Sequence, residues 1–164
     1  ERCAGGGFGY QWFPIPQFDG STEAQRQAGI DASADDLNGF LDARLLEAGL
    51  ASDRLVLFGF SQGAMMSLHV GPRRTEPVAG VVAISGRLLR PEVLAVEAMV
   101  KPPVLLIHGD QDPVVPFGDM ARAGDYLVAA GFETFGHVMT GTGHGIAPDG
   151  LGVALQFIKK CLSI

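Results

Sequence analysis

Hydrophobic residues along the chain follow two patterns, one with helical spacing and one made of short unbroken runs. Spacings of three and four predict a long amphipathic helix over 21–49, with a Ser21/Thr22 cap at its start and Gly49 at its end. Further helices are predicted at 63–70, 91–99, 117–130 and 149–162. Strands are predicted from the apolar runs at 54–60, 78–85, 103–109 and 132–139, the first of which is typical of a strand covered on both faces.

This alternation of helices and strands predicts an α/β fold, with a mostly parallel sheet and helices on both faces. The chain has 164 residues, of which 47% are hydrophobic, so it is long enough to bury a core of its own. No repeat or low-complexity linker divides it. We therefore expect a single domain over residues 1–164.

Charge and cysteine content narrow the range of partners. The formal net charge is −6 and the 12 Lys and Arg residues are scattered, so neither nucleic acid nor an anionic membrane surface is an expected partner. No apolar run reaches the roughly 18 residues of a membrane span. Cys3 and Cys161 lie at opposite ends without CxxC spacing, which indicates neither a zinc site nor a disulfide framework and fits a reducing cytoplasm.

The main chemical motif is "FGFSQGAM" at 58–65, in which Ser61 lies between Gly59 and Gly63. A G-x-S-x-G sequence between a buried strand and a helix holds a nucleophilic serine at a positive φ above the edge of a sheet. Side chains at the two flanking positions are expected to collide with such a turn. The backbone N–H of Gln62 is then a candidate donor to a developing oxyanion. A plain glycine-rich turn is the alternative interpretation.

A serine hydroxyl needs a base, and four histidines are available. His144 is the best candidate because it lies on a glycine-rich loop between the last strand and the last helix. His69 lies on the same helix as Ser61 and is expected to be packing or surface. His108 closes a strand and is expected to form a strand-end hydrogen bond, and His137 is expected to be structural.

The group that orients the base should follow a strand between the serine and the histidine, in the chain order Ser, Asp, His. Asp110 and Asp112 both come directly after the third predicted strand. Spacing alone leaves the choice between them open. Asp119, inside the next predicted helix, looks like an ordinary surface carboxylate.

Four stretches of the chain together resemble the phospholipase/carboxylesterase family of α/β-hydrolases, in its acyl-protein-thioesterase-like group: "LVLFGFSQGAMMSLHV", "PVAGVVAISGRL", "PPVLLIHGDQDPVVPF" and "GTGHGI". The resemblance covers nearly the whole chain. It implies that Asp112, directly before "PVVP", is the triad acid and that Asp110 belongs to the turn. It also implies that Trp12, in "QWF", lines the acyl pocket. By position, further apolar wall candidates are Met65, Phe117 and Ile146, with core packing as the alternative.

The sequence departs from this family at its start. Family members begin with strands that are missing here, and one of those strands ends in an "HG" loop that supplies a second oxyanion N–H. Losing one such donor costs typically about 10²- to 10³-fold in rate. We therefore expect a truncated α/β-hydrolase with weak catalysis unless backbone amides of "CAGGGFG" (3–9) replace the donor.

The same departure leaves the strand at 54–60 without an intrachain neighbour on one edge. An exposed strand edge favours pairing with another chain. We expect a homo-oligomer in which two copies pair through this edge about a twofold axis. The alternative is that the chain is part of a longer protein whose missing segment completes the sheet.

These observations predict a serine carboxylesterase that hydrolyses short to medium acyl esters of small molecules through Ser61, His144 and Asp112. The expected walls are apolar and no charged anchor is apparent. No metal or organic cofactor is needed. The alternatives are an acyl thioesterase or lysophospholipase-like hydrolase, and an interaction protein with little activity on a truncated hydrolase scaffold. A metallohydrolase centred on "HGDQD" is disfavoured because no second histidine cluster accompanies it.

Overall fold

The computed structural model describes residues 10–164, which form six helices and four strands. The helices are α1 (Pro16–Asp19), α2 (Glu23–Ala48), α3 (Gln62–Val70), α4 (Leu94–Glu97), α5 (Gly118–Ala129) and α6 (Pro148–Leu162). The strands are β1 (Val56–Phe60), β2 (Gly80–Ile84), β3 (Val104–Gly109) and β4 (Thr134–Met139). Short 3₁₀ turns occur at Ser52–Arg54, Gly71–Arg73 and Pro91–Val93.

The four strands form one sheet in the order β1-β2-β3-β4, and every neighbouring pair is parallel. Val56 pairs with Gly80 at the start of the first two strands, and Phe60 pairs with Ile84 at their end. The predicted parallel sheet is therefore confirmed. Because all four strands run in one direction, the loops that follow them meet at the same edge of the sheet.

Helices cover both faces of the sheet, as predicted. On one face, buried residues of α2, α3 and α5 pack against the sheet, among them Ile30, Met66 and Leu127. On the other face, α6 packs through Ala154 and Phe157. The core thus consists of two apolar layers with the sheet between them.

Burial separates the two middle strands from the two outer ones. Every residue of β2 and β3 is buried, whereas β1 and β4 each contain exposed residues. The prediction that the strand at 54–60 is covered on both faces is wrong, since Phe58 is 43% exposed. The reason is its position: within the described residues, β1 pairs only with β2 and forms an edge of the sheet.

The ends of the long helix match the prediction. Thr22 and Gln25 form a reciprocal capping box at the start of α2, and Gly49 ends the helix with a φ of 65°. The helix predicted at 91–99 is shorter, because the N–H groups of Met99 and Val100 donate to the carbonyl of Pro72 instead of continuing it. The single-turn helix α1 was not predicted, since one turn is too short to show periodicity. None of the helices in the described part of the chain is long and apolar enough to cross a membrane.

Candidate active site

Ser61 occupies the turn between β1 and α3 in a strained backbone conformation. Its φ is 55° and its ψ is −121°, a region that residues other than glycine rarely adopt. The Ser61 N–H donates to the carbonyl of Ile84 at 2.9 Å, and the Ser61 carbonyl accepts from the Met65 N–H at 3.1 Å. The turn is therefore fixed from both sides, against β2 and within the first turn of α3.

The two glycines that flank Ser61 have different structural roles. A Cβ added to Gly59 would lie 2.2 Å from the carbonyl oxygen of Gly63, so any side chain there would collide with the backbone of the following helix. A Cβ added to Gly63 would meet nothing within 4 Å. The expected collision therefore exists at Gly59, and the same expectation for Gly63 is wrong. It is the bare backbone of Gly63 that crowds Gly59, while its own Cβ direction faces open space.

The structure brings Ser61, His144 and Asp112 into one hydrogen-bonded series. Nε2 of His144 lies 3.0 Å from Oγ of Ser61, and Nδ1 of His144 lies 2.8 Å from Oδ2 of Asp112. An ionised carboxylate only accepts hydrogen bonds, so Nδ1 is the protonated nitrogen of the ring. Nε2 is then left to accept the hydroxyl proton of Ser61. The ring of Phe60 packs against the imidazole at a centroid distance of 4.8 Å.

The carboxylate of Asp112 is fully enclosed, with a side-chain exposure of 0%. Its second oxygen, Oδ1, accepts from the backbone N–H groups of Val114 at 2.8 Å and Val115 at 2.9 Å. Burial on its own raises the pKa of Asp112, but the hydrogen bonds from His144, Val115 and Val114 outweigh burial and hold the pKa below its ordinary value. The group is therefore an anion at neutral pH.

His108 supports the turn that carries Asp112. It is 1% exposed, and its Nε2 lies 3.0 Å from the carbonyl oxygen of Val115 and 3.4 Å from Oδ2 of Asp112. A carbonyl oxygen only accepts, so Nε2–H is the donor in this bond. The predicted strand-end hydrogen bond is thus present. The ring of Phe117 packs edge-on against His108 at a centroid distance of 6.1 Å.

The loop that carries His144 is held against the end of β3. Oδ1 of Asp110 accepts from the N–H of Gly141 at 2.7 Å, so Asp110 holds the turn and does not contact the histidine. A Cβ added to Gly109 would lie 2.3 Å from the carbonyl oxygen of Thr142. The bare backbone at Gly109 therefore permits the close approach of this loop. Sequence analysis did not assign this role, although a glycine between the strand and the aspartates was visible.

The remaining two histidines lie outside this group. His69 is 3% exposed on α3, and burial lowers its pKa to about 4, with the positive charges of Arg73 and Arg90 lowering it further. His137 on β4 pairs with Asp149 at 2.8 Å. Both positions agree with the structural roles expected from the sequence.

A cleft of about 290 Å³ opens beside Ser61. It is lined mainly by apolar residues, together with Gln17, Gln62 and two arginines; the apolar ones are Phe13, Pro14, Ile15, Phe18, Met65, Val114, Val115 and Pro116. Of the four wall residues predicted from the sequence, Met65 lines the cleft. Trp12, Phe117 and Ile146 lie outside its lining, and Ile146 is 42% exposed.

The side chain of Gln62 connects this wall to the serine turn. Its Oε1 accepts from the backbone N–H of Trp12 at 2.9 Å, and its Nε2 donates to the carbonyl of Phe13 at 3.0 Å. The wall segment that starts at Phe13 is therefore bonded to the residue directly after Ser61. Trp12 contributes backbone here instead of the predicted apolar side chain, a distinction that sequence cannot make.

The two arginines of the cleft, Arg26 and Arg87, correct the expectation that no charged anchor is present. Arg26 forms an ion pair with Glu23 at 2.6 Å, and Nε of Arg87 lies 3.2 Å from Oδ2 of Asp119. Asp119 has a side-chain exposure of only 14%, so the prediction of an ordinary surface carboxylate is wrong. The segment 3–9, the predicted source of a second oxyanion donor, lies outside the described residues.

The fold gathers these groups at the edge of a parallel sheet where the strands end, which places the chain in the α/β-hydrolase class. Comparison with known proteins narrows the class. A family profile described as Phospholipase/Carboxylesterase matches residues 2–162, and the chain belongs to this family. The resemblance stated from the sequence motifs is thereby confirmed.

Relatives in this family are acyl-protein thioesterases and esterases. The chain is 30% identical to acyl-protein thioesterase 1 of Gibberella zeae over 162 residues, which cover 92% of this chain and 68% of the relative. It is 29% identical to esterase YpfH of Escherichia coli over 152 residues, which cover 92% of this chain and 62% of the relative. The chain thus spans about two thirds of the length of such relatives.

Solved structures give the same result for the fold. The crystal structure of esterase PE8 superimposes with a TM-score of 0.85 at 40% sequence identity, covering 94% of this chain and 71% of that protein. The fold is therefore that of an α/β-hydrolase, truncated relative to these neighbours. The family and its named relatives support hydrolase activity.

Proposed function

We propose that the protein is a serine carboxylesterase in which Ser61 is the nucleophile, His144 the general base and Asp112 the group that orients the base. The observation that carries this proposal is the position of one imidazole, whose Nε2 lies 3.0 Å from Ser61 Oγ and whose Nδ1 lies 2.8 Å from Asp112 Oδ2. A serine hydroxyl is a weak nucleophile until an adjacent base accepts its proton. Relatives named as esterases and thioesterases support the same chemistry.

The reaction follows from this geometry in two steps. Ser61 Oγ attacks the ester carbonyl as its proton moves to His144 Nε2, and the tetrahedral intermediate expels the alcohol, which takes that proton. Water then gives a proton to His144 and attacks the acyl-enzyme, releasing the carboxylic acid and restoring Ser61. Asp112 stabilises the imidazolium that forms in each step.

The intermediate carries an oxyanion that needs hydrogen-bond donors. The backbone N–H of Gln62 is the proposed donor, because it lies at the start of α3, where the helix dipole favours negative charge. An enzyme with only one such donor is expected to work roughly 10²- to 10³-fold more slowly than one with two. Segment 3–9 remains the proposed source of the second.

A second candidate function is acyl thioester hydrolysis, since several of the relatives are named acyl-protein thioesterases. The same three side chains serve both reactions because each proceeds through an acyl-enzyme. A lysophospholipase-like hydrolase belongs to the same group of alternatives. An interaction protein with little activity is the remaining alternative, and the labelling experiment below separates it from the enzymes.

We expect a fluorophosphonate probe to label the purified protein at Ser61 and to leave Ser61→Ala unlabelled. The probe reacts with a serine only when a base has activated the hydroxyl. Labelling is measured by gel fluorescence and located by peptide mass spectrometry. Ser67, a buried serine on α3 that donates to Gly63, provides the matched control in Ser67→Ala, which should still be labelled. A folded wild-type protein that is not labelled would favour the interaction protein.

We expect activity on 4-nitrophenyl esters to be highest for short to medium acyl chains. The cleft of about 290 Å³ is at the lower end of ligand-pocket volumes, which run from roughly 300 to 1,000 Å³. Its walls are largely apolar, so each added methylene helps until the cleft is full. The measurement is kcat/KM across a series from acetate to palmitate. A maximum at the long end contradicts the proposed chain length.

For the assembly, we propose that two copies pair through the outer edge of β1 in a cytoplasmic homodimer. The proposal rests on the unpaired edge of this strand and on Phe58, which is 43% exposed there. Light scattering should then give twice the monomer mass, and Phe58→Lys should shift the protein to monomer because a charge at a strand edge opposes pairing. A wild-type monomer at micromolar concentration contradicts the pairing and favours completion of the sheet by a segment of a longer protein.

A further inference from the structure

We propose that Arg87 recognises a carboxylate on the substrate, so that the preferred substrates are esters that carry one carboxylate group in addition to the ester. This inference rests on the proposed esterase function and names the substrate class of the same cleft. It would make Arg87 a determinant of specificity that acts by direct contact with the substrate. The sequence gave no indication of it, because no motif places residue 87 in the cleft.

The first argument is the position of Arg87 relative to Ser61. The preceding residue, Gly86, lies so close to the serine turn that a Cβ added to it would be 2.7 Å from the Cβ of Ala64 and 3.3 Å from the carbonyl oxygen of Ser61. Arg87 follows directly and lines the cleft together with Ser61. A substrate held at Ser61 therefore lies beside the residue that follows this contact.

The second argument is the charge balance among the arginines. Arg26 is matched by its own partner, since both carboxylate oxygens of Glu23 lie within 3.0 Å of its guanidinium nitrogens. Asp119, in contrast, is shared: Oδ2 lies 3.2 Å from Nε of Arg87, and Oδ1 lies 3.9 Å from a terminal nitrogen of Arg122. Two guanidinium groups share one carboxylate, which leaves one positive charge.

The third argument is that Arg87 can still accept an anion. Its side chain is 41% exposed, and its contact with Asp119 runs through Nε, whereas a guanidinium has five N–H donors. The largely enclosed Asp119 holds one edge of the guanidinium and thereby orients it. A carboxylate can then be bound by two parallel N–H groups of the other edge, which is the geometry that guanidinium favours.

The surroundings make this charge selective for a single carboxylate. Most of the cleft wall is apolar, including Phe13, Ile15 and Val114, so an anion that enters loses hydration and needs a cationic partner. Beside Arg87 the excess is one positive charge, and the whole chain has a formal net charge of −6. A monoanionic carboxylate therefore fits this position better than a doubly charged group.

The test compares matched substrates in wild type, Arg87→Gln and Arg26→Gln. One pair carries the charge on the acyl half, 4-nitrophenyl hydrogen glutarate against its carboxamide analogue. The other carries it on the alcohol half, 3-(butyryloxy)benzoate against the corresponding benzamide. The pair with the larger preference identifies the half of the substrate that meets Arg87.

We expect kcat/KM of wild type to favour the carboxylate by about tenfold or more in one of the two pairs, the value of one hydrogen bond to a charged group. Arg87→Gln should bring this ratio close to one, whereas Arg26→Gln should keep it, although both variants remove one positive charge from the cleft. Equal ratios in wild type and Arg87→Gln, or loss of the preference only in Arg26→Gln, would overturn the assignment. Thermal unfolding of both variants verifies that they fold.

A binding measurement separates this inference from the esterase proposal. If wild type hydrolyses the neutral esters without any preference for the charged ones, the esterase proposal stands and the role of Arg87 is wrong. If it hydrolyses neither, the esterase proposal fails, and NMR titration of Ser61→Ala with glutaramate and with glutaramide decides on Arg87. Tighter binding of glutaramate that is lost in the Ser61→Ala, Arg87→Gln double variant supports the inference, and equal binding of the two compounds contradicts it.

Discussion

Asp112→Asn is expected to lower kcat by about 10⁴-fold, the effect typical of this replacement in a Ser-His-Asp triad. Oδ1 of Asp112 accepts from the N–H groups of Val114 and Val115. In the variant these two donors hold the amide oxygen in the same place, so the amide NH₂ faces Nδ1 of His144. Nδ1 must then accept, and the ring proton moves to Nε2, which can no longer take the proton of Ser61.

Asp110→Asn is the matched comparison, two residues away on the same loop. Asp110 accepts one backbone hydrogen bond, from Gly141, and an amide oxygen can accept it equally well. We expect this variant to stay within about tenfold of wild type, in keeping with the loss of charge from one exposed hydrogen bond. The measurement is kcat on 4-nitrophenyl butyrate, with thermal unfolding as the check on folding. A larger loss in Asp110→Asn than in Asp112→Asn would contradict the assignment.

The second large effect concerns the backbone beneath Ser61. Gly59→Ala is expected to destabilise the protein by about 3 kcal/mol or more, at the upper end of what overpacking costs. The added methyl would lie 2.2 Å from the carbonyl oxygen of Gly63 and 2.5 Å from the backbone nitrogen of Ala64. Both obstacles are backbone atoms, so β1 or α3 must shift, and Ser61 loses its alignment with His144.

Gly63→Ala provides the control for this prediction because its added methyl would meet nothing within 4 Å. Gly63 lies in the first turn of α3, where alanine is favoured over glycine by up to about 1 kcal/mol. We expect Gly63→Ala to match wild type in stability or exceed it slightly, as measured by chemical denaturation. Equal destabilisation of the two variants would contradict the different roles assigned to the two glycines.

The local sequence determined the order of elements and the serine turn. Apolar runs and helical spacings predicted the parallel sheet, because burial on both faces requires continuous apolar strands, and the Thr22 and Gly49 signals gave the ends of α2. The strand–Gly–x–Ser–x–Gly–helix pattern also predicted the positive φ of Ser61, since it is a property of a few adjacent residues.

The tertiary structure decided which of several suitable residues meet. Spacing could not choose between Asp110 and Asp112, because both follow the same strand and differ only in what they face: Gly141 in one case and His144 in the other. Wall residues were predicted poorly for the same reason. Trp12 contributes its backbone N–H to the wall, while Arg87 enters the cleft through the packing of Gly86 on Ala64.

The physical difference between the two groups of features is distance along the chain. Helix caps and the serine turn depend on contacts between residues a few positions apart, which the sequence states directly. The hydrogen bond from Ser61 to His144 joins residues 83 positions apart, and the bond from Trp12 to Gln62 spans 50. Such contacts form only after the sheet has brought its strand ends together, so local sequence determines which groups are available and packing determines which of them touch.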